Sequence, residues 1–174
     1  MTGLDPDQDT IMSIACFMTD SDLNLLDDQG FEAVIHHEKE ELGKMGEWCT
    51  KHHGDSGLTA ACISSTTSHA EAAEQLLAYI RSYIPKARTA LLAGNSVHAD
   101  KNFLVKPPYK PIIDHLHYRI LDVSSIKEAA KRWAPEEDMK KAPKKKMLHE
   151  ARADILESIE EAKFYRIMFF LRRP

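Results

Sequence analysis

The chain has 174 residues and a mass of 19.7 kDa, enough for one domain with a real core. Its 43% hydrophobic and 29% charged residues describe a globular protein, and a net charge of −4 excludes one that coats nucleic acid through bulk charge. An enzyme that holds a short oligonucleotide in a local site remains open. Cys16, Cys49 and Cys62 contain no CxxC pair and are odd in number, which argues against a zinc site or disulfide framework and for a reducing intracellular compartment. No apolar run is long enough for a transmembrane helix, and the first residues do not have the pattern of a signal or transit peptide.

In chain order, Thr2-Gly3-Leu4-Asp5-Pro6 is a turn with nothing before it to reverse. The apolar run 10–19 predicts a strand covered on both faces, and a second strand falls within 31–36, giving antiparallel hairpins. Residues 46–54 predict a short helix closed by Gly54, carrying Trp48, His52 and His53. By composition Trp48 is core and the histidines are solvated; alternatively Trp48 and a histidine form a wall for stacking a base. The spacing of Ala73, Leu76, Leu77, Ile80 and Ile84 predicts an amphipathic helix over 69–83, stopped by Pro85, with its stripe in the core.

A short strand in 89–96 runs into a Gly94-Asn95-Ser96 turn. A helix from Val97 then places Asp100 in its first turns, at the strand's C-terminal edge, where open α/β sheets collect ligands. After the proline-rich 106–111, residues 117–124 predict a strand, with Ser124 capping a helix over 125–133. Arg119 lies among apolar neighbours, where an unpaired guanidinium is costly, so a carboxylate or phosphate partner is expected. Residues 135–146, rich in lysine, read most simply as a mobile solvated loop, with a gate over nucleic acid as the alternative. A long helix follows to about Leu171, with Ile155, Ile159 and Ala162 on its stripe. At its start His149 precedes Asp154 by five residues, roughly 140° around a regular helix. The two side chains share one site only where His149 stands before the helix or in a distorted first turn, beside orphan N–H groups that favour phosphate.

The order Met1-Thr2-Gly3-Leu4-Asp5, Gly94-Asn95-Ser96 with Asp100, His117-Tyr118-Arg119 with Leu121-Asp122-Val123-Ser124, and His149 with Asp154 resembles the oligoribonucleases, 3′→5′ exoribonucleases of the DEDDh superfamily, over essentially the whole chain. The resemblance implies a single exonuclease domain of α/β class, an RNase-H-like mixed five-stranded sheet flanked by helices. It implies degradation of very short RNA to nucleoside 5′-monophosphates with two divalent ions, Mg²⁺ or Mn²⁺, held by four carboxylates. Asp100 and Asp154 would be metal ligands, and His149 the general base that takes the proton from the attacking water. Leu4 would wedge between the terminal bases, Trp48 and His53 would wall the 3′ nucleotide, and Ser96 and Arg119 would cap the 5′ phosphate. His117 and Tyr118 would reach over from the partner subunit of a homodimer. No membrane partner is expected, and the setting is cytoplasmic or mitochondrial.

The chain departs from this pattern at its start. In the family, a strand ending Asp-x-Glu precedes the Met-Thr-Gly-Leu-Asp turn, supplies the other two carboxylates and lies in the middle of the sheet. Here the sequence begins at the turn, and the expectation is a start assigned too late in a longer gene or an otherwise shortened chain. Leu148 and Ala153 stand where the family has Ser or Thr and a second aspartate, although the His149 to Asp154 spacing is kept. One alternative is a non-catalytic relative acting as a dimer partner or RNA-binding remnant. Another is a nuclease of the same fold for longer RNA or DNA.

Overall fold

The structure is a computed structural model describing residues 1–143 and 151–171. Two strands, β1 (Ser13–Cys16) and β2 (Phe31–Val34), precede four helices, α1 (Lys39–Leu42), α2 (Glu47–Asp55), α3 (Leu58–Ser64) and α4 (His69–Tyr83). Then come β3 (Leu92–Gly94), α5 (Val97–Leu104), α6 (Lys110–His115), β4 (Ile120–Asp122), α7 (Val123–Trp133), α8 (Glu136–Met139) and α9 (Ala151–Tyr165). The last of these runs on as a π-helical turn over Arg166–Leu171.

The mixed α/β class is as expected, but the strands are shorter and differently joined. Among the described residues they form two separate ladders. β1 and β2 pair antiparallel, Ser13 opposite Val34 and Cys16 opposite Phe31. β3 and β4 pair parallel, Leu92 opposite Ile120 and Gly94 opposite Asp122. A continuous five-stranded sheet is therefore not formed by these residues. The run 10–19 yields only a four-residue strand, and all four residues are half-buried rather than covered on both faces. The reason is lateral: among the described residues β1 and β3 each have a strand on one side only, so backbone and side chains on the other side lack the cover that a neighbouring strand gives. Helix α9 packs against both β1 and β3 and so bridges the two ladders.

Helix α4 is the main support. Ser68 and Glu71 form a reciprocal capping box, with the Glu71 amide donating to Ser68 Oγ at 3.2 Å and the Ser68 amide to Glu71 Oε2 at 2.8 Å. Ala72, Ala73, Leu76 and Ile80 face the core, where they meet Ile35, Phe103 and Ile112. Leu76→Ala is expected to cost about 2–5 kcal/mol through lost transfer energy and a residual cavity. Chemical denaturation checks this, and an unchanged midpoint would contradict it.

Three boundaries differ from expectation. The strand read over 117–124 is only Ile120–Asp122, because the chain already turns helical at Val123. Helix α2 runs through Gly54, and the left-handed residue beyond it is Gly57, at φ +78°. Helix α7 is capped by Asp122, whose side chain accepts from the Ser124 amide, and not by Ser124. In 135–143 the chain makes the short helix α8, while Lys144, Lys145 and Lys146 lie outside the described residues. The cysteines are free, and burial pushes the Cys16 thiol up to about 12. No described helix is long and apolar enough to cross a membrane.

Candidate active site

The turn at the chain's start is held from behind by Asp9. Thr2 Oγ1 donates to Asp9 Oδ1 at 2.9 Å, the Asp5 amide donates to Asp9 Oδ2 at 3.0 Å, and the Thr10 amide donates to Thr2 Oγ1 at 3.0 Å. A Cβ at Gly3 would lie 2.3 Å from Asp9 Oδ2, so the close approach requires glycine. These bonds project Leu4 outward, leaving it 80% exposed. An apolar side chain held in water by a rigid turn is available for contact with a ligand.

Helix α2 faces this turn. His53 Nε2 bonds to the Met1 carbonyl at 3.0 Å, and the Trp48 ring stands edge-on to His53 with centroids 6.4 Å apart. Trp48 is not core: it is 57% exposed and stacks on His52 at 4.0 Å. Leu4, Trp48 and His53 are thus brought to one region, although about fifty residues separate the turn from the helix. Asp100, on α5, interacts electrostatically with the Met1 amino group and so borders the same region. Desolvation raises its carboxyl above the ordinary range, although the residue as a whole is exposed.

A second group gathers at the C-terminal ends of β3 and β4. Ser96 adopts the left-handed conformation (φ 52°, ψ 33°) that non-glycine residues rarely take. Its amide donates to Asp122 Oδ1 and to Ser124 Oγ, each at 3.0 Å, and its hydroxyl lies 3.2 Å from Ser124 Oγ. Asp122 Oδ2 meets His98 Nδ1 at 3.1 Å. Burial alone would raise the Asp122 carboxyl, but the bonds from His98, Ser124, Ser96 and Ser125 outweigh it and hold the group below its usual range. A depressed carboxylate contributes stability above its unfolded pKa of about 3.9 that is lost as pH falls through the lower folded value. Asp122→Ala is expected to destabilise by about 0.5–2 kcal/mol through the lost cap and to flatten the acid limb of a stability-versus-pH profile; an unaltered profile would contradict this.

His117, Tyr118 and Arg119 precede β4, whereas Ser96 follows β3, so the parallel pairing puts them toward opposite ends of the ladder. Arg119 is exposed, with its guanidinium 4.8 Å from the Tyr118 ring centroid, so the burial argument for a partner does not apply. The Tyr118 ring stacks on His117 at 4.5 Å and is 67% exposed. A three-residue ladder spans only about 7 Å, which an extended arginine can cover.

Asp154 is half-buried in the first turn of α9 as described, and its carbonyl accepts from Ser158 Oγ at 2.7 Å. His149 and Leu148 lie outside the described residues. The buried face of α9 is Ser158, Glu161, Ala162 and Tyr165; Ile155 and Ile159 are only half-buried. Sequence periodicity misses Glu161 because it counts apolar residues alone. It also misses Asp9 and Asp122, of which only Asp122 left a signal, the Asp-x-Ser pattern of a helix cap.

The donor chemistry suits a hard divalent cation in part. Asp100 and Asp154 offer carboxylate oxygens, and a cation would favour the ionised form that desolvation of Asp100 disfavours. Among the described residues, however, no three His, Cys, Asp or Glu side chains converge to hold a metal ion.

Residues 1–162 match the family model described as Exonuclease (RNase_T). The chain is 50% identical over 167 residues to "Probable oligoribonuclease" of Schizosaccharomyces pombe, covering 95% of this chain and 64% of that protein. It is 48% identical over 174 residues to "Oligoribonuclease, mitochondrial" of Bos taurus, covering 99% and 71%. Against "Oligoribonuclease" of Rhodococcus jostii it is 46% identical over 175 residues, covering 100% and 86%. It thus spans less than two thirds of the fission-yeast relative's length. A turn, a Trp–His wall and an aspartate with a raised carboxyl meeting in one region accompany likeness along the whole chain, and the chain belongs to the exonuclease family, among the oligoribonucleases.

Proposed function

We propose that the protein is a 3′→5′ exoribonuclease that degrades very short RNA to nucleoside 5′-monophosphates. The observation that carries this reading is likeness along nearly the full chain, at 46–50% identity, to proteins named oligoribonuclease. The convergence of Leu4, Trp48, His53 and Asp100 supports it, because an exposed apolar tip beside an aromatic wall suits two splayed bases.

In this reading Leu4 separates the two terminal bases, and Trp48 and His53 enclose the 3′ nucleotide. Ser96 and Arg119 bind the 5′ phosphate, with His117 and Tyr118 contributed by the partner of a homodimer. The exposure of Tyr118 supports that last assignment. Such a cap favours short substrates because further backbone would collide with it. Divalent ions, Mg²⁺ or Mn²⁺, when bound, stabilise the attacking and leaving oxygens of an in-line displacement. Asp100 and Asp154 would hold them, and His149 would accept the proton of the attacking water. The remaining carboxylates are assigned to an upstream strand ending Asp-x-Glu, seated between β1 and β3 to complete a five-stranded RNase-H-like sheet. The free side of each ladder supports that placement. The setting is intracellular, cytoplasmic or mitochondrial.

The test is hydrolysis of a 5′-labelled RNA dinucleotide by the chain alone and by the chain extended with its upstream residues, each with Mg²⁺ and with chelator. Chelator-sensitive release of mononucleotide by the extended form is expected. No turnover by an extended, folded protein would overturn the reading in favour of a non-catalytic relative. A length series of labelled RNAs separates it from a nuclease for longer substrates.

A further inference from the structure

A buried polar network joins the turn before Asp100 to the helix that carries Asp154. Asn95 Nδ2 donates to Ser158 Oγ at 3.0 Å and to Glu161 Oε2 at 3.1 Å. Ser158 Oγ donates its single proton to the Asp154 carbonyl at 2.7 Å, so it can only accept from Asn95. The hydrogen bonds therefore run in one direction, from the β3–α5 turn to the backbone of Asp154. Glu161 is 3% exposed; its Oε1 lies 2.8 Å from Lys127 Nζ on α7 and accepts from Tyr165 OH at 3.1 Å. A carboxylate this deep is tolerated only when paired and hydrogen-bonded, and both conditions are met.

Attachment at Ser158 and Glu161, three residues apart on one helical face, fixes more than a single contact could. Rotating α9 by one residue, about 100°, would break both bonds, and sliding it by one turn would do the same. Apolar packing alone tolerates such shifts more readily, whereas a buried polar pair specifies register. We infer that Asn95, Ser158 and Glu161, neutralised by Lys127, are positioning residues that set the rotation and depth of α9 against the β3–α5 turn, and with them the separation of Asp100 and Asp154. This rests on the reading that the two aspartates serve one metal-dependent site.

The test uses the full chain in the form that hydrolyses the dinucleotide and compares wild type with Asn95→Asp, Glu161→Gln, the double variant and Ser158→Ala. Asn95→Asp sets two carboxylates face to face, and adding Glu161→Gln restores a donor–acceptor pair with its polarity reversed. Asn95→Asp is expected to lower kcat about 10–100-fold and to weaken Mn²⁺ binding, followed by electron paramagnetic resonance without RNA, by about 10-fold or more. KM for the dinucleotide should stay unchanged within about two-fold, and the double variant should recover part of both losses, because the bond between positions 95 and 161 is restored while that to Ser158 Oγ, whose proton is already given to the Asp154 carbonyl, is not. A folded Asn95→Asp with wild-type kcat and Mn²⁺ affinity, or losses of which the double variant recovers no part, would overturn the inference. Where Asn95→Asp does not fold, Ser158→Ala, which removes one bond and little volume, decides: a several-fold loss in kcat at constant KM supports the inference, and wild-type kinetics overturn it. If wild type neither turns over nor binds Mn²⁺, the functional reading has failed and hydrogen exchange judges the inference instead. Joint loss of protection over 95–104 and 151–165 in Asn95→Asp, recovered in part in the double variant, supports it; protection unchanged in either segment overturns it.

Discussion

Asp100→Asn is expected to abolish dinucleotide hydrolysis while leaving the melting temperature in chelator equal to or above that of the parent. The two outcomes have one cause. Desolvation raises the Asp100 carboxyl, so keeping it ionised at neutral pH works against folding unless a cation compensates. The sign follows from linkage: a carboxylic acid with a raised folded pKa binds more protons folded than unfolded. Stability therefore falls as pH rises from about 3.9 to the higher folded value and stays reduced above it. The neutral amide removes that penalty and, with it, the charge proposed to hold a metal ion. Loss of a group supporting a ligand already costs about 10–100-fold, so losing the carboxylate itself should exceed about 100-fold in kcat. Turnover assays beside thermal melts check both halves; residual activity near wild type would remove Asp100 from the site, and a lower melting temperature would contradict the desolvation argument.

Trp48→Ala should have the second largest effect, in substrate binding rather than chemistry. Stacking a base on an aromatic ring is worth about 1–3 kcal/mol, or roughly 5–150-fold in KM. Because Trp48 is 57% exposed, its truncation should leave the melting temperature within about 2 °C. Steady-state kinetics on a dinucleotide, with phenylalanine as the rescuing substitution, provide the check. A fall in kcat at constant KM would instead assign Trp48 to positioning the scissile bond.

Local elements were legible where short-range physics dominates. Helix α4 lies on the expected 69–83 because its period, its Ser68 cap and Pro85 act within a few residues. Helix α5 begins at Val97 as read, with Asp100 in its first turn. The strands were less legible, since strand length depends on the neighbour in the sheet, and apolar run 10–19 could not announce that β1 would be flanked on one side only. Trp48 was misplaced in the core by composition because burial is a property of the assembled surface. Arg119 was assigned a burial penalty for the same reason, and the fold leaves it in water above Tyr118.

By itself the sequence determined helices α2, α4, α5, α7 and α9 and the family resemblance, and it named candidate site residues, because residue type and spacing of a few positions carry that information; the short helices α1, α3, α6 and α8 left no such pattern. Tertiary structure alone decided which of them meet. It set His53 against the turn that presents Leu4. It brought Ser96 and His98 against Asp122 and Ser124, 24–28 residues further along the chain. It tied Asn95 to Ser158 and Glu161 across 63 and 66 residues. Contacts of that separation repay their loop-closure entropy only when the whole core forms together, so no local pattern encodes them.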